Sequence, residues 1–374
     1  MFHLQLPPSI ERSRLLQQYF DNFHPEYPFL DQRDIETRLS RTLARLGCPT
    51  TDTGSSVVVA IDSEASSFMA LICAIFALSQ STSRPLEEAR SGHQPADHVP
   101  GYATWSTSRK LQQAFDGVRS LSLETISCHV LNSVFALHAD MVDVALQLHA
   151  AAARLLPAVD SPNSCWRRGQ QGRSRNAIDL LWWTVFILDR TLSRISETPY
   201  VLHPDKLPDG LRRGLEAPMW QGQTCERLPP NAVSSLELWG SENDNGALHM
   251  DAICLQVVAY ICNLWSSFSD QVLSMPIRGH HCTLRLSALL DTELQVCSAS
   301  IPAILQWGTP ETPEDNIRQG SPSYLNRRLS ILLVSASVCA TGNEVPRLTD
   351  EGNTEYKYFS AAPKGGIPRS VQLF

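Results

Sequence analysis

The chain has 374 residues, 43% of them hydrophobic and 18% charged, with a formal net charge of -7 at neutral pH. That balance describes a globular protein with a sizeable core and excludes a disordered polymer. It also excludes a general basic surface of the kind that meets nucleic acid through clustered lysine and arginine.

The opening stretch, Met1 to Arg14, carries Pro7-Pro8 and charges where a signal peptide needs an unbroken apolar run. The longest apolar run, Phe68 to Leu78, is too short to span a bilayer. The expectation is a soluble, intracellular protein with no membrane partner. A first helix is predicted over residues 10–23, using Leu15, Leu16, Tyr19 and Phe20. A turn punctuated by Pro25 and Pro28 follows. Asp31 then reads as the N-cap of a helix with Ile35, Leu39, Leu43 and Leu46, stopped by Gly47.

Residues 49–57 read as polar linker, 63–80 as a buried helix and 81–100 as a loop rich in Ser, Pro and His. Further helices are predicted over 101–118, 121–138, 141–156, 175–195, 247–269, 283–299 and 324–338. Residues 200–246 lack periodicity and carry Pro and Gly, as a surface insertion or a functional lid does. No repeat of fixed period and no strand-like alternation stands out. The fold class expected is all-α: a multi-helix regulatory domain over 1–340 with long loops, and a disordered tail over 341–374.

The helix over 175–195 is the most distinctive. Ile178, Leu181, Trp182, Val185, Leu188, Leu192 and Ile195 form one apolar stripe, and Leu180, Trp183 and Ile187 cover much of the other side. Ser174 or Asn176 serves as its cap, and Pro199 prevents its continuation. Asp189 lies on the stripe, so its carboxylate needs a partner. One reading makes Asp189 a catalytic base. The other makes it half of a structural ion pair with an arginine, Arg190 or Arg194, and the lack of a second catalytic group nearby favours that reading.

Other chemistry is sparse. There is no phosphate-binding glycine loop, no G-x-S-x-G and no H-E-x-x-H. The ten cysteines include no C-x-x-C pair, so zinc ribbons, zinc fingers and redox motifs find no support; Cys73, Cys128, Cys254 and Cys262 sit in apolar helical patterns as core thiols do. His280-His281-Cys282 is the best metal candidate, but no fourth ligand stands at useful spacing, and an incidental surface cluster fits better. His138 and His149 read as exposed or core histidines, because Ala139 to Met141 interrupts the helix between them. Trp166-Arg167-Arg168 and Arg173-Ser174-Arg175 form a compact basic run, read as a solvated loop with phosphate contact as the alternative. The residues thus assign no catalytic, cofactor or metal site.

Trp182-Trp183, the apolar stretch to Asp189-Arg190 and Pro199 resemble the hallmark segment of the fungal-specific transcription factor domain, the middle homology region of fungal zinc-cluster regulators. A second match lies near the start: Tyr19-Phe20, then His24-Pro25 and Tyr27-Pro28-Phe29-Leu30. A third, Ser122 to Leu137 followed by Val144 to Leu156, is similar to the helix pair that precedes the Trp-Trp helix. The arginine doublet is displaced to Arg173 and Arg175, and the closing turn reads Ser196-Glu197-Thr198-Pro199. Together the matches cover about residues 10–207 in order.

The resemblance implies an all-α regulatory domain of a nuclear transcription regulator, one that controls a metabolic or secondary-metabolite gene cluster. Family members carry a six-cysteine, two-zinc DNA-binding module opening with C-x2-C-x6-C. No cysteine spacing here matches it, so zinc belongs only to a full-length member and DNA contact only to a module not found in these residues. The partners implied are proteins, as homodimer or heterodimer, and a small-molecule effector. The alternatives are a truncated co-regulator that acts by protein interaction without DNA binding, and an unrecognised all-α enzyme.

Overall fold

The computed structural model describes residues 2–48, 57–82, 99–115, 122–160, 173–216 and 245–274, with single positions between 289 and 297. The elements are β1 (Phe2–Leu6), α1 (Ser9–Asn22), α2 (Gln32–Arg45), β2 (Val57–Ile61), α3 (Ser63–Ser81), α4 (Tyr102–Phe115), α5 (Leu123–His138), α6 (Val142–Asp160), α7 (Arg173–Ser196), α8 (Asp209–Glu216) and α9 (Asn245–Ser274). A single 3-10 turn, Pro204–Lys206, follows α7. The fold is predominantly all-α. The predicted helices over 324–338 and most of 283–299, the tail over 341–374 and His280 to Cys282 lie outside the described residues.

The described residues fall into two compact units, one comprising the chain to Leu207 and the start of α9 to Ala252, the other α8 and α9 from Ile253 onward. In the first unit α3 is the central helix. It packs against α1, α4 and α5; α5 and α6 form a hairpin, and α6 packs against α7. From Phe68 to Ser79 every residue of α3 is buried, which explains a sequence with no polar face. By length and composition α3 and α6 could each cross a membrane, yet most of α3 lies inside the bundle. Side chains start both α2 and α3: Asp31 accepts from the Asp34 amide at 2.9 Å and Asp62 from the Ala65 amide at 2.8 Å. In the second unit Leu211 and Leu215, one turn apart, are buried, as are Cys254, Leu255, Val257, Ala259, Tyr260 and Ile261 on α9.

Five expectations are corrected. A sheet exists: β1 and β2 pair antiparallel with Leu4 opposite Val59 and Phe2 opposite Ile61. Leu4, Leu6, Val59 and Ile61 face the core, but two five-residue strands separated by α1 and α2 are too short to show periodicity. The helix predicted to stop at 156 runs through Pro157 to Asp160, with Leu156 and Val159 both buried. The excursion over 200–246 contains α8. Arg173 and Arg175 stand in the first turn of α7 and not in a loop. Ile195, assigned to the apolar stripe, is 38% exposed, because the stripe ends at Leu192 where the helix leaves the core.

Candidate functional site

The distinctive helix is enclosed as its sequence requires. Trp182 and Trp183 are both buried, and the Trp182 indole Nε1 donates to Asp160 Oδ2 at 3.2 Å. That bond depends on the last turn of α6, the turn that continues past Pro157.

Two helical turns on, Asp189 is 1% exposed and receives four donors. On Oδ1, His149 Nε2 donates at 3.0 Å and the Val201 amide at 3.0 Å. On Oδ2, Arg190 Nη1 donates at 2.5 Å and the Leu202 amide at 3.1 Å. The expected arginine pairing is present with Arg190, while Arg194 is exposed. The Arg190 guanidinium lies 4.3 Å from the Phe186 ring centroid and 4.1 Å from that of Tyr200, an aromatic sandwich that holds a buried cation. Positive backbone φ at Glu197, +55°, turns the chain after α7 so that residues 200–202 return to Asp189. Pro199 sits exposed in that turn.

His149, read from the sequence only as an exposed or core histidine, is a partner of Asp189. It is fully buried on α6, on a face shared with Ala145, Leu148, Ala152 and Ala153. The available signal was a histidine on an apolar helical stripe; what it touches, forty residues away, had no signal. His138 ends α5, and its ring lies edge-on to Phe23 at 5.5 Å.

The second motif is the end of α1 and the turn that follows it. Tyr19 is fully buried, edge-on to Phe20 and stacked against Phe23. Burial raises the Tyr19 phenol far above its ordinary range, with Tyr27 adding to the effect. The His24 ring lies 5.1 Å from Phe20, and its Nε2 meets the Leu30 carbonyl at 2.7 Å, closing the turn that Pro25 and Pro28 shape. Burial pushes the His24 imidazole below its ordinary range, against opposing effects of the Leu30 carbonyl and Asp31. Phe29, like Pro28, is buried.

These contacts saturate both oxygens of Asp189 and leave it away from solvent, so the arrangement has no base to offer a substrate. Among the described residues no group of three or more His, Cys, Asp or Glu gathers to hold a metal. What the motifs build is a framework. A family model described as the Fungal specific transcription factor domain matches residues 16–207, more than half of the chain and the stretch that holds both motifs.

The chain belongs to the fungal specific transcription factor domain family.

No curated protein and no solved structure matches it. In this fungal specific transcription factor domain the match begins at Leu16 on α1 and ends at Leu207, where the first segment of the first compact unit also ends. The family is a transcription factor domain and not an enzyme family.

Proposed function

We propose that the chain is the regulatory domain of a fungal transcription regulator, working in the nucleus through protein partners or a small-molecule effector and reading no DNA with its own side chains. The observation that carries this reading is the family match over residues 16–207. The net charge of -7 and the lack of any C-x2-C-x6-C spacing among its cysteines support the last part. Control of a metabolic or secondary-metabolite gene cluster is the setting proposed.

The test is to fuse the chain to an unrelated DNA-binding module in a fungal host that carries the matching reporter. Activation or repression relative to the module alone is expected. A reporter that stays at the level of the module alone, with the fusion intact in the nucleus, overturns the regulatory reading. DNA contact is tested separately, with the purified chain and promoter fragments at physiological salt. No sequence-dependent retention is expected, and nanomolar, sequence-dependent binding overturns that part.

A further inference from the structure

We propose that residues 197–202 form a strap with an opening equilibrium of its own, latched to α7 by the Asp189 carboxylate and set by His149 on α6. The inference rests on geometry and is independent of the role in transcription. Glu197, Thr198 and Pro199 are exposed, Tyr200 and Val201 are half-buried, and only Leu202 is buried. The strap therefore contributes little apolar burial. Its amides at Val201 and Leu202 bond to no backbone ladder; each uses one oxygen of the same side chain. A single carboxylate thus supplies both acceptors, while the Thr198 amide bonds the Ser193 carbonyl at 3.1 Å and hinges the strap to the end of α7.

The orientation of that carboxylate is set from its other side. His149 Nε2 and Arg190 Nη1 occupy one position on each oxygen. Among the described residues the second ring nitrogen of His149, Nδ1, is buried without a hydrogen-bond partner, so the bond to Asp189 is the polar anchor of this imidazole. Arg190 in turn stacks on Tyr200 of the strap itself. Helix α6, helix α7 and the strap therefore meet at one charge. Opening the strap exposes Leu202 and the Tyr200 ring but leaves Trp182, Phe186 and Leu192 enclosed, so it needs much less surface change than unfolding. The strap runs on to the 3-10 turn Pro204–Lys206, and Leu207 beyond it is buried, so opening is confined to the segment between α7 and that turn. Any ligand or partner that prefers one state shifts the latch by its differential affinity.

Residue-resolved amide hydrogen exchange on the full chain tests this. In the unaltered protein, Val201 and Leu202 are expected to exchange at least about tenfold faster than Ile72 and Ala74 of α3, with weaker dependence on denaturant. His149→Leu removes the donor and is expected to speed Val201 and Leu202 about tenfold further without changing Ile72 and Ala74. His149→Gln, whose amide keeps a donor, should recover part of the protection. The proposal is overturned if all four amides in the unaltered protein share one rate and one denaturant dependence. It is also overturned if a folded His149→Leu protein leaves Val201 and Leu202 unchanged or accelerates all four together. Should His149→Leu fail to fold, the measurement on the unaltered protein and on His149→Gln decides.

Discussion

His149 on α6 and Asp189 on α7 are forty residues apart in sequence and meet at 3.0 Å with both side chains out of solvent. The contact joins two helices and, through the other carboxylate positions, the chain that leaves α7. It turns the Asp-Arg pair of the family motif from a local ion pair into a junction of three segments.

Removing the centre of that junction leaves the Arg190 cation buried beside an empty position. Asp189→Ala is expected to destabilise the domain by about 3–5 kcal/mol, the range for breaking a buried pair by deleting one partner. Asp189→Asn keeps one oxygen and the volume, and should lose less. Urea unfolding followed by tryptophan fluorescence measures both; an Asp189→Ala midpoint equal to that of the parent sinks the assignment.

Trp182 is 1% exposed and carries a hydrogen bond to Asp160. Trp182→Ala is expected to cost about 3–5 kcal/mol, as large aromatic truncations in cores do. Trp182→Phe retains most of the volume and loses the indole donor, so a smaller loss is expected. Thermal melts rank the three proteins, and an alanine variant that melts with the parent contradicts the packing described here.

Gly101 adopts φ +87°, and a Cβ there would lie 2.3 Å from the Ala77 carbonyl oxygen. Helix α4 can begin against α3 only because that atom is missing. Gly101→Ala therefore combines left-handed backbone strain, about 1–3 kcal/mol, with a clash against backbone that cannot swing away. Gly47, at φ +73°, has open space around it, so Gly47→Ala should cost only the strain. Equal losses for the two in chemical denaturation would refute the close approach of α4 to α3.

His24 gives a pH dependence with a defined sign. Its folded pKa lies below the ordinary value because burial disfavours the cation. The unfolded chain therefore takes up this proton first. The stability gained from neutral His24 is complete above about pH 6.5 and is lost as pH falls through the lower folded value. His24→Gln should flatten this part of the acid limb. Unfolding free energies between about pH 7 and pH 5 provide the check, and parallel curves for the two proteins would remove His24 as the cause.

Glu124 contributes with the opposite chemistry and the same sense. Burial raises its carboxyl, but the Arg38 guanidinium at 2.8 Å, together with hydrogen bonds from its own amide and from Ser122, outweighs burial and holds it below the ordinary range. Its contribution is present above the ordinary carboxylate pKa and is lost as pH falls through the folded value. Arg38→Gln should leave the half-buried Glu124 without a cation and raise the pH at which acid unfolding begins, monitored by circular dichroism. An unchanged acid midpoint would contradict the pairing.

Much of this architecture was legible in the residues. Helices with a sustained stripe or an all-apolar face, such as α3 and α7, announce themselves because burial acts on every turn. Asp31 was legible as a cap because capping is settled within four residues. The two-stranded ribbon was not, since each strand offers only two inward side chains and its partner is far along the chain. Nor was the continuation of α6 past Pro157, where buried Leu156 and Val159 outweigh the lost backbone hydrogen bond.

For the site, the sequence by itself determined that Trp182 and Trp183 are enclosed, that Asp189 requires a partner, and that Arg190 or Arg194 supplies one. These follow from helical spacing and from the cost of an unpaired buried charge. Only the tertiary structure decided that His149 shares the carboxylate, that Tyr200 and Phe186 sandwich Arg190, and that Val201 and Leu202 complete the set of donors. The physical reason is that these partners come from separate segments. Periodicity records which face of a helix is buried, while the group that meets it depends on how α6, α7 and the returning chain pack together.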